Sequence, residues 1–227
     1  MKKQSTVFIL GIAAAVITAI PCTGWAKVQP SALFTDNMVI QRETQAPVWG
    51  TADAGEKVTV TGSWGATAET TADASGKWMV KLQTPEAGGP HTLTLKGNNT
   101  VVISNVLSGE VWFCSGQSNM EWEMHKLAKV SKKRTTPEHV TTANYVKKEM
   151  ETANDQLLRQ FAVTKSKSPL KPLSTLKGTW LGSSPQDNPG FSGTAYFFGR
   201  ELQRAQCSGW PDQVCLGRHP HRTMDAS

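Results

Sequence analysis

Apolar and polar residues alternate in short runs between residues 28 and 107, at Ala46–Gly50, Lys57–Thr61, Lys77–Leu82, His91–Leu95 and Val101–Val106. A period of two marks strands with one buried face. Turn-forming clusters separate the runs: Asp53-Ala54-Gly55, Asp73-Ala74-Ser75-Gly76, Ala87-Gly88-Gly89-Pro90 and Gly97-Asn98-Asn99. This spacing predicts a small β-sandwich over residues 27–107. From Ser108 the pattern changes. Val111–Cys114 reads as a buried strand, Ser115-Gly116 breaks it, and Gln117-Ser118-Asn119-Met120 opens a helix, followed by a polar segment through Thr136. A second helix is expected from Val140 to about Thr152, with Tyr145 and Met150 among its apolar positions, and a strand over Leu157–Val163. Lys165–Pro172 is a basic, proline-interrupted loop, and Trp180–Gly190 is rich in turn residues. Ser192 then caps a helix carrying Ala195, Phe198 and Leu202 on one face. Strands alternating with helices over 108–205 predict the beginning of an α/β layer.

The chain has 227 residues, enough for one large domain or two modest ones, and 38% of them are hydrophobic. Its start changes the reading of the rest. Lys2-Lys3, an apolar run from Val7 to Ile20, and small residues before a break after Ala26 are the features of an export signal. The apolar run is short for a membrane span, and Pro21 before Cys22 does not suit lipoprotein processing. Residues 1–26 are therefore read as a leader, with export to the periplasm or beyond and no integral membrane segment after cleavage. Its removal takes two lysines and no acids, so the formal charge of +6 becomes +4. Lys126, Lys129, Lys132, Lys133 and Arg134 form the one basic cluster, which fits a solvated helix face. No interleaving of basic and aromatic residues points to nucleic acid. Cys114, Cys207 and Cys215 remain after cleavage, an odd number that leaves at least one free thiol. Cys114, in an apolar strand, fits inert packing. Trp49, Trp64 and Trp78 are of a type that stacks on sugars, but filling a core accounts for at least two of them.

The sharpest candidate for chemistry is Ser118. A serine at a strand-to-helix turn sits among unpaired backbone N–H groups, in a field that favours an oxyanion. The same position suits a serine that merely caps a helix, and position alone favours that plainer role. Ester hydrolysis also needs a base within reach of the serine. His91 lies in the β-rich half, His125 is seven residues after Ser118, about two turns along one helix, and His139 precedes a helix with no carboxylate partner. Each reads as a surface or capping residue. Cys207, Cys215, His219 and His221 are four zinc-ligand types, but Cys-x7-Cys followed by His-x-His is unlike the usual structural sites, so no metal site is expected.

Three separated segments carry a family resemblance. They are Leu33-Phe34-Thr35-Asp36-Asn37-Met38-Val39-Ile40-Gln41, Glu110-Val111-Trp112 with Gly116-Gln117-Ser118-Asn119-Met120, and Phe191 through Leu202. In this order they resemble the SGNH-type carbohydrate acetylesterases, and among them the bacterial sialate O-acetylesterase family, from about Pro30 to about Ala205. The resemblance implies a mixed β and α/β fold, with an N-terminal β-sandwich followed by the start of an SGNH-hydrolase-like three-layer α/β domain. It implies that Ser118 is the nucleophile, that its N–H is one oxyanion donor, and that Gln117 and Asn119 orient it or bind substrate. O-acetylated sialic acid, or another acetylated glycan such as xylan, is the implied substrate, with no metal or organic cofactor. In such enzymes the base is a histidine near the C-terminus with an aspartate three residues earlier, and a Trp-Gly-Gly segment supplies a further donor. Neither feature occurs in residues 1–227.

Residues 206–227 lack both periodicity and resemblance. With suitable synonymous codons, reading them one base later yields a peptide containing Trp-Gly-Gly, and any Met224-Asp225 pair must then read as Trp. We therefore expect an aberrant, frameshifted tail and a truncated product with little esterase activity. The competing class is a non-catalytic module in which the β-sandwich alone contacts glycans.

Overall fold

The computed structural model describes residues 27–130, 135–164, 176–206 and 214–219. The leader, the Lys165–Pro172 loop, residues 132–134 of the basic cluster and most of the 206–227 tail lie outside these residues. No helix among the described residues is long and apolar enough to cross a membrane.

The alternating runs become strands where expected. β1 (Gln29–Pro30), β3 (Gln45–Thr51) and β6 (Lys77–Gln83) form an antiparallel three-stranded sheet. β6 buries every second residue, and Trp78, Val80 and Leu82 point into the core. A second, eight-stranded sheet includes β4 (Lys57–Gly62), β5 (Thr67–Thr71), β7 (Gly88–Lys96) and β8 (Thr100–Ser115). Its Val58, Val60, Leu93, Leu95 and Ile103 share one apolar cluster with Trp78, Val80 and Leu82 of the smaller sheet. Trp78 is buried, while Trp49 and Trp64 pack against this cluster from its margin. The fold is thus mixed and strand-rich.

β8 is the longest element, and it passes through residue 107 without a break. Its first half pairs antiparallel with β7; its second half lies in a parallel layer with β11 (Val214–His219), which in turn pairs parallel with β9 (Asp155–Val163). β10 (Gly178–Ser183) adds antiparallel to β9. β2 (Val39–Gln41) pairs parallel with β8 at Leu107–Gly109. The Leu33–Gln41 segment is the joint between the two halves. Phe34 and Met38 are buried, Asp36 accepts a hydrogen bond from Ser104 N at 2.7 Å, and Asn37 Oδ1 accepts one from Asn105 Nδ2 at 2.7 Å. Buried Arg159 of β9 donates to Asn105 O at 2.6 Å and Met38 O at 3.4 Å, and Trp180 of β10 donates to Leu33 O at 2.7 Å.

Several expectations need correction. Val111–Cys114 is a strand but not a buried one: Val111, Trp112 and Phe113 are 40%, 42% and 74% exposed. Apolar composition predicted burial, but burial requires a covering layer that the described residues do not supply on both faces. The helix expected from Gln117 is two single turns, α1 (Ser118–Glu121) and α2 (Met124–Leu127), separated at Trp122 and Glu123. Trp122 is extended (ψ 110°), so His125 does not continue the helix of Ser118. α3 (Pro137–Thr152) starts three residues before its predicted position, and it buries Ala143 and Val146 while Tyr145 is exposed. Gly178–Ser183 is a strand, and only Asn188–Gly190 of the turn-rich stretch forms a short 3-10 turn. α4 (Gly193–Gln206) buries Ala195 and Tyr196, leaving Phe198 outside. Residues 214–219, in the tail that shows no periodicity, form β11. The Val-Cys-Leu run at 214–216 suits a strand, and the slot between two parallel strands asks chiefly for backbone pairing.

Candidate functional site

β8 is an interior strand of the sheet, and residues 116–119 follow directly from its carboxyl end. Gly116 allows the turn, since a Cβ there would lie 3.3 Å from Met120 Cβ. Gln117 occupies the N-cap position of α1 without a side-chain cap hydrogen bond, and Ser118 is the first helical residue. Ser118 is therefore not the cap of this helix. It is exposed, as are Gln117 and Asn119, and its Oγ hydrogen-bonds to nothing among the described residues. α1 closes on Gln117 O, which accepts from Met120 N at 2.9 Å and Glu121 N at 3.1 Å. The N–H groups of Ser118 and Asn119 are left out of that ring, as those of a first turn must be.

The three histidines are held elsewhere. His125 Nδ1 lies 2.9 Å from Pro189 O and 3.4 Å from Glu123 Oε2. His139 Nδ1 contacts Thr136 Oγ1 at 3.1 Å, where Thr136 caps α3. His91 meets Trp64 edge-on, with ring centroids 5.3 Å apart, and burial lowers its pKa. None of them hydrogen-bonds Ser118. β11 brings the backbone of His219 opposite Ser115, three residues before Ser118, while Cys207 and His221 lie outside the described residues. Cys114 is free and buried, and burial raises its thiol pKa, as expected of an inert cysteine.

The floor beneath the turn is a second apolar cluster of Cys114, Met124, Val146, Leu158, Phe191, Ala195 and Tyr196. It joins β8 and β9 to α3 and α4. Tyr196 Oη donates to Glu149 Oε1 at 3.0 Å, and burial pushes its pKa up to about 12, so the phenol stays protonated. Arg200 Nη1 lies 2.6 Å from Glu149 Oε1 as an ion pair, off the line of a hydrogen bond. Sequence reading missed this clamp between α3 and α4; the one available signal is a buried-face glutamate and arginine on two helices, which spacing alone cannot pair. It also missed the link from β2 to β8. Gln41 Nε2 and Arg42 Nε donate to Glu110 at 3.1 and 2.9 Å, and Gln41 Oε1 accepts from Val111 N at 2.8 Å.

No protein-family model matches the chain. Over 113 residues it is 38% identical to the sialate O-acetylesterase of Rattus norvegicus, covering 44% of this chain and 21% of that protein. The sialate O-acetylesterase of Homo sapiens is 40% identical over 99 residues, covering 39% of this chain and 19% of that protein. Among solved structures, a carbohydrate acetylesterase from Xanthomonas citri superposes with a TM-score of 0.72 at 30% identity, over 85% of this chain and 40% of that one. The chain thus spans about a fifth of the length of the curated relatives it matches. Over that part of their length the chain is similar in sequence to the sialate O-acetylesterases, and it is similar in sequence and fold to the Xanthomonas citri carbohydrate acetylesterase.

Proposed function

We propose that the chain derives from an exported carbohydrate acetylesterase in which Ser118 accepts the acetyl group, and that O-acetylated sialic acid is its substrate class. The observation that carries this is an exposed serine hydroxyl, one residue past the cap of a single helical turn, at the carboxyl end of a strand in a parallel layer. In this reaction Ser118 Oγ bonds to the acetyl carbonyl carbon and gives its proton to a base, the bond from that carbon to the sugar oxygen breaks, and the base returns the proton to the departing sugar oxygen. Water then cleaves the acyl-serine and releases acetate. The N–H of Ser118 stabilises the oxyanion, and Gln117 and Asn119, exposed on either side, orient the serine or contact the sugar. The same chemistry serves an acetylated xylan, with only the sugar changed.

The step lacks a histidine acceptor among the described side chains, because His91, His125 and His139 are each engaged away from Ser118. We therefore expect the chain as given to hydrolyse p-nitrophenyl acetate and O-acetylated sialic acid at little above background. Rapid turnover that disappears in Ser118→Ala would overturn the missing base and keep the nucleophile. Rapid turnover unchanged in Ser118→Ala would remove Ser118 itself. Sugar binding without hydrolysis, unaffected by Ser118→Ala, would favour the glycan-binding alternative.

A further inference from the structure

A single helical turn is not self-supporting, since forming the first turn fixes several dihedrals for one hydrogen bond. Something outside α1 must hold residues 118–123. We infer that Ser192 and Thr194, at the start of α4, are positioning residues for the turn that carries Ser118. Ser192 is fully buried, and its Oγ donates to Met120 O at 2.6 Å while accepting from Ala195 N at 3.4 Å. Thr194 Oγ1 donates to Asn119 O at 3.0 Å. Two backbone bonds continue the seam: Gly193 N donates to Trp122 O and Met124 N to Phe191 O, both at 2.9 Å.

The carbonyls that receive these hydroxyls belong to the two residues after Ser118. They are among the last carbonyls of α1, which have no partner within a four-residue helix. Each hydroxyl therefore does what a longer helix would do for itself. Ser192 is doubly committed, as cap of α4 and as donor to α1, so a rigid fourteen-residue helix sets the placement of a four-residue one. The geometry explains why the serine segment and the Phe191–Leu202 segment occur together: the second is the mount of the first. For acyl transfer the gain is in orientation, where misplacement by about 1 Å can cost on the order of a hundredfold in rate. The catalytic meaning of this mount rests on the proposed role of Ser118; the mount itself does not.

The test is amide hydrogen exchange, read by mass spectrometry on the full chain, beside phosphonylation by a fluorophosphonate. In that reaction Ser118 Oγ bonds to phosphorus, fluoride leaves, and the hydroxyl proton goes to buffer. Ser192→Ala and Thr194→Val should each speed exchange in residues 117–123 at least tenfold, with α3 and β9 unchanged. Thr194→Ser, which keeps the hydroxyl, should restore the parent rate. Thr194 is exposed, so its variants fold whether or not Ser192→Ala does. Phosphonylation of Ser118, slow in the parent for want of a base, should slow further in Thr194→Val and recover in Thr194→Ser. Unchanged exchange in Thr194→Val, or an equal rise throughout the chain, overturns the inference. The expected exchange pattern with no phosphonylation of Ser118 in any variant supports the mount and agrees with a nucleophile that lacks its base, whereas phosphonylation of another serine in its place would sink the esterase reading and leave the mount standing.

Discussion

Glu110 was legible in the sequence only as a letter of a motif; in the fold it is an acceptor shared by Arg42 and Gln41. Hydrogen bonds from Arg42 and then Gln41 hold its carboxyl below the usual glutamate range. A carboxyl whose pKa is lower in the folded than in the unfolded chain stabilises the fold above the unfolded value. That contribution fades as pH falls through the folded one. The parent should therefore lose stability as pH falls below about 4, where free glutamate titrates, and on through the lower folded value, more steeply than Glu110→Gln. Equal slopes in urea unfolding across that range would exclude the linkage. Gln160 presents the opposite case. Its side chain is buried in β9, and among the described residues neither amide atom has a hydrogen-bond partner. An unsatisfied buried polar group costs about 1–3 kcal/mol, which an apolar residue of similar shape avoids. Gln160→Met should be neutral or stabilising by up to that amount in urea unfolding, and a clear loss of stability would reveal a partner for the amide. No local pattern distinguishes these two residues, because partners contributed by other strands decide both.

Among elements, the strands with one buried face were legible because their period is imposed by a single interface: β3, β4, β6 and β7 all overlap their predicted runs. What failed were elements whose existence depends on neighbours. β1 is two residues long, held only on β3, and β10 is a strand because β9 lies beside it. The single helix expected from Gln117 through His125 is interrupted at Trp122 and Glu123. Hydrogen bonds from Ser192 and Gly193 to Met120 O and Trp122 O, and from Met124 N to Phe191 O, impose the break. Gly50 shows how strictly such neighbour-made elements are fitted. A Cβ at this position would lie 2.0 Å from Gln29 O and 2.8 Å from both Pro30 Cα and the Trp78 ring. Two of these are backbone atoms of β1, which has to move. Gly50→Ala should detach β1 from β3 and cost about 1–3 kcal/mol, the usual range for overpacking. A denaturant midpoint equal to that of the parent would mean that β1 contributes nothing to the fold.

At the scale of the whole molecule, the second half of β8 is the anomaly. Strands of a parallel layer are ordinarily covered on both faces and read as continuous apolar runs. Val111–Cys114 has that composition, so its sequence anticipates two covering layers. Cys114 has cover, in the cluster shared with α4. Trp112 is covered in part, meeting exposed Phe198 edge-on with ring centroids 5.4 Å apart. Phe113, on the other face, is 74% exposed. Val111 and Phe113 therefore leave an apolar strip on one side of the sheet, with Trp112 and Phe198 on the other. Exposed apolar strips of this kind favour association. Burying most of a phenylalanine ring at about 25 cal/mol per Å² is worth roughly 1.5–3 kcal/mol, enough for a tenfold effect or more. Phe113→Ser should thus weaken concentration-dependent self-association about tenfold in sedimentation velocity. Because the ring is mostly outside the fold, the urea midpoint should stay close to that of the parent. Association that persists unchanged would place the contact elsewhere, and a collapse of the midpoint would mean that the ring is covered within the folded monomer. Ser118 sits only five residues beyond this strip, so the surface that drives association also borders the turn that carries the candidate nucleophile.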